Sequence, residues 1–132
     1  MTSNPFAKKL LIKPGSRLLV LNAPDGYLER LAPLPDGVEL AAAGDDGCDV
    51  VHLFARNRAE VERFAGAAVA AVRPGGVLWI SYPKRGRNVT TDLNRDTGWS
   101  ALSSLGWRVV SQVAIDERWS ALRFRPLSEV GG

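Results

Sequence analysis

Three short runs in this chain are almost wholly apolar: "SRLLVLN" (16–22), "DVVHLFA" (49–55) and "GVLWISYP" (76–83). A strand with one wet face alternates apolar and polar residues; a strand apolar throughout must be covered on both faces. Between the last two runs the pattern changes period. From Asn57 to Val72, the residues Val61, Phe64, Ala65, Ala68, Val69 and Val72 recur at spacings of three and four, the signature of one helix face. Arg58, Glu60, Glu62 and Arg63 lie largely on the other side, and "RPGG" closes the helix. Buried strands alternating with helices predict a mostly parallel sheet with helices on both faces and right-handed crossovers.

The remaining segments fit around that frame. Asn4-Pro5 reads as a helix cap with proline at the first helical position, which predicts a short helix to about Ile12 with Phe6, Leu10 and Leu11 inward. Pro14-Gly15 breaks it. "YLERLAPL" reads as a short helix with Tyr27, Leu28 and Leu31 inward, and "GVELAAA" (37–43) as a further strand. A helix starting near Asp92 or Asp96, either of which could cap it, would carry Trp99, Leu102 and Leu105 and stop at Gly106. "WRVVSQVAID" (107–116) and "ERWSALRFRP" (117–126) are two strands joined by about two residues, a length that permits only an antiparallel hairpin. The expected architecture is α/β and Rossmann-like: a mostly parallel six-stranded sheet flanked by helices and ending in an antiparallel hairpin.

A chain of 132 residues suits one domain with its own core, here 1–132 with a helical lead-in (1–15) and a loose tail (127–132). No run reaches the roughly 18 apolar residues of a membrane span, and the N-terminus carries lysine inside its only short apolar run, so a cytoplasmic location is expected. The lone cysteine, Cys48, excludes an internal disulfide, which suits a reducing compartment. One cysteine and one histidine, His52, exclude a zinc site of the usual nitrogen and sulfur kind. Cys48 and His52 are four apart on one strand face, hence ~13 Å from each other and too far to react. His52 sits mid-strand, where a hydrogen-bonded core residue is expected rather than a catalytic base. Ser81 lacks nucleophile-elbow glycines. The net charge of +3 is spread unevenly, with seven acids against Arg30 alone between Asp25 and Asp49. No lysine and arginine run reaches nucleic-acid-binding density, so neither nucleic acid nor membrane is an expected partner.

The alternation of elements with a terminal hairpin, and the segment "DVVHLFA…AVAAVRPGGVLWIS", resemble the S-adenosylmethionine-dependent methyltransferases, in which an apolar strand and helix lead through a "pGG" turn into the next strand. The resemblance implies a cofactor held by a glycine-rich turn after the first strand and an acid at the tip of the second. This chain departs at both places. Its first strand runs into "LNAPDGYLER", with one glycine, Gly26, and with Pro24. Its second ends "LAAAGDD", with Asp45 and Asp46 as late substitutes for the acid. One helix and one strand of the usual fold are missing. "LLIKPGSRLLVLNAP", "GGVLWISYPK" and "VAIDERWSALRF" also resemble a family of small bacterial proteins without an assigned activity. That family shares a KPG lead-in, a "W-[IV]-x-x-P-K" strand and a closing "WSA" strand, matched here by Lys13, Pro14, Gly15, Trp79, Pro83, Lys84, Trp119, Ser120 and Ala121.

The sequence therefore predicts a shortened methyltransferase-like binding or interaction module with no cofactor and no catalytic residues; the alternative is an S-adenosylmethionine-dependent methyltransferase with an atypical cofactor site. In open α/β sheets ligands bind beyond the carboxyl ends of the strands. The candidate residues there are Asn22, Asp25, Arg56, Lys84, Arg85, Thr91, Asp92 and Arg95. Their arginines and lysine, next to a helix N-terminus, suit a small anionic ligand. Capping by Asp92 and pairing of Arg95 with Asp25 or Asp92 is the structural alternative. The four tryptophans read as core or as a dimer face, so a second copy of the chain is the other expected partner.

Overall fold

The computed structural model describes residues 8–27, 29, 34–42, 44–84, 91–93, 97–115 and 118–127. In it, β1 (Arg17–Leu21), β2 (Glu39–Leu40), β3 (Cys48–Phe54), β4 (Val72–Pro83), β5 (Trp107–Ala114) and β6 (Trp119–Pro126) form one sheet in the order β2-β1-β3-β4-β6-β5. The first four strands are parallel neighbours. β6 is antiparallel to both β4 and β5, so the short connection makes the expected hairpin. Helix α1 (Arg58–Ala71) links β3 to β4, and the five-residue α2 (Ser100–Ser104) precedes β5.

Each face of the sheet carries its own core. Leu19, Val51, Leu53, Leu78, Ile80 and Phe124 point to one face, where Val61, Ala65 and Ala68 of α1 and Leu102 of α2 cover them. The small residues of α1 let the helix lie close on the sheet. On the other face Leu18, Val50, Phe54 and Trp79 pack under Leu10, Ile12 and Tyr27. Trp79 is buried only because its indole N–H finds an acceptor, the carbonyl of Leu10 at 2.9 Å.

Several expectations change in detail. β2 shrinks from seven residues to the two exposed ones Glu39 and Leu40. Leu10 is buried, but Leu11 turns outward at φ 62. Tyr27 is buried as expected; Phe6, Leu28 and Leu31 lie outside the described residues. "RPGG" does not separate helix from strand, because Val72 caps α1 and already pairs with Cys48. The next pair is Val50 with Val77, so Arg73–Gly76 form an irregular bulge inside β4. That irregularity also changes the facing of Cys48, which packs with Val51 and Leu53, whereas His52 stacks on Phe54 of the opposite core. The two do not share a face. The helix expected from Asp92 or Asp96 begins at Ser100, with Trp99 at its N-cap, Leu102 buried and Leu105, half exposed, at its C-cap.

The bulge generates a paired prediction. A Cβ at Gly76 would stand 2.8 Å from the Val72 side chain and 3.0 Å from two backbone carbonyls, whereas one at Gly66 on α1 meets open space. Gly76→Ala should lower the unfolding free energy by about 1–3 kcal/mol through overpacking. Gly66→Ala should raise it by about 0.5–1 kcal/mol through helix propensity. Urea denaturation of the two variants checks both signs.

Candidate functional site

The chain leaves β1, crosses to β2 on one side and returns to β3 on the other, so the strand order reverses between β1 and β3. The carboxyl ends of those strands are where a crevice forms in this class of sheet. Asn22 stands at the tip of β1 in the left-handed region, φ 58, a conformation asparagine tolerates better than most residues. Its Nδ2 donates to the Phe54 carbonyl at the tip of β3, 2.8 Å away, and to Glu60 Oε1 at 3.2 Å. Glu60 Oε1 also accepts the Arg56 backbone N–H at 2.7 Å. One carboxylate of α1 thus ties the two strand tips together.

The segment after β4 closes the same knot. Thr91 Oγ1 donates to the Arg56 carbonyl at 2.8 Å, and Asp92 Oδ1 accepts the Arg58 N–H at 2.7 Å. Asn57 caps α1 through its side chain, accepting the Glu60 N–H at 2.9 Å. Asp92, expected as the cap of a following helix, instead serves the front of α1, so the first N–H groups of that helix are met by the chain's own acceptors. Of the eight candidate residues, the structure brings together Asn22, Thr91, Asp92 and the backbone of Arg56. Asp25 and the side chain of Arg56 are exposed, and Lys84 is held through its backbone N–H to the Arg118 carbonyl at 2.7 Å. Arg85 and Arg95 lie outside the described residues.

Glu60, which the sequence reading placed among solvent-facing charges, is the carboxylate at the centre of this knot. Its signal was the spacing Asn57-x-x-Glu60, which matches the residues of a capping box. Asp45, a candidate acid for the tip of β2, accepts the Ala42 N–H just past that short strand at 2.8 Å, and Arg17 at the start of β1 donates to it at 3.2 Å.

His52, Tyr27 and Ser81 form a second polar cluster beneath this crevice. Tyr27 Oη lies 2.8 Å from His52 Nδ1, and Ser81 Oγ lies 2.6 Å from Nε2, so both ring nitrogens are bonded whichever carries the proton. His52 and Ser81 have no exposed surface, and desolvation pushes the imidazole down to about 3. A neutral imidazole sealed from solvent holds Tyr27 against the sheet and does not take protons from a substrate. Among the described residues, no cluster of three or more histidine, cysteine, aspartate or glutamate side chains could hold a metal, and no helix is long and apolar enough to cross a membrane.

The fold has known counterparts. The structure is similar to the DhpI–SAH complex, with 20% identity and a TM-score of 0.60 over 92% of this chain and 83% of that one. It is similar to a SAM-dependent methyltransferase from Aquifex aeolicus, with 13% identity and a TM-score of 0.67 over 89% of this chain and 85% of that one. The DhpI–SAM–HEP complex aligns with a TM-score of 0.59 at 18% identity over 92% of this chain and 85% of that one. No family model and no curated protein sequence matches the chain. The expectation of a fold without a cofactor is corrected by these neighbours, which include complexes with S-adenosylmethionine and S-adenosylhomocysteine and so point to a cofactor-binding fold.

Whether this chain's residues fit that group can be tested at the turn after β1. Gly26 has φ +81, and a Cβ built there meets nothing within 4 Å, so the backbone is open to close approach despite Pro24. Glu60 and Asp92 stand there with exposed Asp25, Arg56 and Arg58 and with Lys84, so this end carries charges of both signs. The open turn fits the group, and just past the two-residue β2 the Asp45 carboxylate accepts the Ala42 N–H at 2.8 Å.

The buried imidazole gives a pH prediction. Unfolded, His52 binds a proton near its ordinary 6.5; folded, it stays neutral until about 3. Protons then favour the unfolded chain, so stability contributed by His52 is complete above 6.5 and falls by about 1.4 kcal/mol per pH unit below it. Denaturation at pH 5 should give about 2 kcal/mol less than at pH 7 from this group. A His52→Gln variant, less stable at pH 7, should lack that part of the slope. Asp92→Ala should cost about 1 kcal/mol through the lost acceptor at α1. The conclusion for the molecule as a whole is a shortened Rossmann-like α/β fold of the kind found in S-adenosylmethionine-dependent methyltransferases.

Proposed function

We propose that this chain binds S-adenosylmethionine in the crevice between the carboxyl ends of β1 and β3 and acts as a small methyltransferase. The observation that carries this reading is the open Gly26 turn standing at the switch in strand order. In this fold class that is where a cofactor's backbone contacts form. The neighbours captured with S-adenosylmethionine and its demethylated product support the choice of ligand. Bound there, the cofactor would supply an electrophilic methyl group. The chain's own part is to hold it: Gly26 admits the ligand to the backbone, and the carboxylates of Glu60 and Asp25 offset its positive charge. Asn22 and Asp92 fix the walls. The bacterial family suggested by the KPG and "WSA" segments is part of this proposal and rests on those residues alone.

A second reading is a module that binds the cofactor without transferring its methyl group. The two-residue β2 and the pairing of Asp45 with Arg17 favour it, since a ribose would lack its usual acidic partner.

Calorimetry with S-adenosylmethionine tests the binding. A saturable heat with a Kd of about 1–100 μM is expected, weakened at least about tenfold in Gly26→Val and Glu60→Ala when folded protein is compared. Absence of heat up to about 1 mM ligand contradicts the proposal. Turnover of the cofactor with candidate methyl acceptors then separates the two readings.

A further inference from the structure

At the opposite end of the sheet, two turns of one composition stand side by side. Lys13-Pro14-Gly15 leads into β1, and Arg73-Pro74-Gly75 forms the bulge of β4; these strands flank β3 on its two sides. Gly15 and Gly75 both have φ +77, so the two basic-Pro-Gly turns carry their glycines in the same left-handed conformation. Both turns line one open cleft of about 410 Å³. Its floor is Val50 and Val77 of the sheet, and Arg123 reaches it from β6.

The charge of the cleft is one-sided. Its basic lining is Lys13, Arg73 and Arg123, and its one acid is Asp49. Asp49 is already engaged on both oxygens: Oδ2 accepts the Arg17 backbone N–H at 2.8 Å, and Oδ1 accepts from Arg73 Nε. These two bonds hold its carboxyl below the usual carboxylate range, so it stays ionised and paired with Arg73. The Lys13 side chain is exposed and makes no hydrogen bond or ion pair among the described residues.

The walls permit a close approach. A Cβ at Gly15 would meet nothing within 4 Å, and one at Gly75 only the end of the Arg73 guanidinium at 3.8 Å. The Gly15 N–H already donates to the Asp36 carbonyl at 2.8 Å and the Ser16 N–H to the Lys13 carbonyl at 3.1 Å, so a ligand can come close to these turns and is held by side chains. Guanidinium and ammonium groups arranged around turns without side-chain obstruction are suited to a multivalent oxyanion, which forked and point donors hold together. The volume is that of a small-molecule site rather than of a protein groove.

We propose that this amino-end cleft is a second binding site, separate from the crevice at the strand tips, and that it takes the phosphate group of a small phosphorylated molecule. Lys13 and Arg123 supply the positive charge from opposite walls, and Arg73 supplies it while anchored by Asp49. The carboxyl-end crevice plays no part, so this site stands or falls independently of cofactor binding.

Amide chemical shifts of the full chain during titration with inorganic phosphate test the proposal, with sodium chloride at matched ionic strength as control. The expected result is saturable shifts at Gly15, Ser16 and Gly75, with a Kd weakened at least about tenfold in Lys13→Glu, whose exposed site leaves the fold intact. Arg123→Gln should weaken it about fivefold or more, and neither variant should alter the heat of S-adenosylmethionine binding. The proposal is overturned if phosphate causes no more change than chloride, if the shifts map to Asn22–Tyr27 instead, or if Lys13→Glu binds phosphate as the parent does.

Discussion

Strand β3 is enclosed by the rest of the molecule, and Asp49 is its one residue that is not buried. β1 and β4 pair along its two edges, and separate apolar layers lie on its two faces. Everything else follows from covering this strand. α1 must lie flat on one face, which its alanines permit, and the lead-in segment with Tyr27 must fold over the other. The polar atoms trapped by the enclosure must bond one another, which is why His52 meets Tyr27 on one side and Ser81 on the other. An unbonded imidazole at that depth would cost a few kcal/mol.

The enclosure also sorts chemistry to the two ends of the strands. With both faces sealed, side chains and backbone groups reach solvent chiefly where strands begin and stop. At the carboxyl end Asn22 donates to the Phe54 carbonyl, while Glu60 and Asp92 accept the backbone N–H groups of Arg56 and Arg58, beside the Gly26 turn. The amino end collects cations around two proline-glycine turns. The carboxyl end carries charges of both signs, Asp25, Glu60 and Asp92 with Arg56, Arg58 and Lys84, and no residue belongs to both ends.

Much of this was legible in the sequence. Continuous apolar runs identified β1, β3 and β4, the three-and-four spacing identified α1, and the two-residue connection required the hairpin. These are local patterns. What sequence reading missed depends on contacts between distant segments. Asp92 looks like a helix cap in its own neighbourhood, but its carboxylate is used by Arg58, 34 residues away. Arg73–Gly76 looks like a plain turn until Val72 is seen to pair with Cys48, which also changes the face that Cys48 occupies. The contact of Glu60 with Asn22 was missed because the spacing of α1 places Glu60 among solvent-facing charges and hides a side chain that reaches back to the tip of β1. The expectation of no cofactor was drawn from an incomplete glycine motif, and it is the neighbours solved with S-adenosylmethionine and S-adenosylhomocysteine that correct it.

The central claim is that the crevice between β1 and β3 is a cofactor site, and the most direct measurement is an amide chemical-shift map during titration with S-adenosylhomocysteine. The account predicts saturable changes confined to residues 22–27 and 55–60, the β1 turn and the front of α1. Shifts that never saturate, or that fall instead on the β5–β6 hairpin, would contradict it.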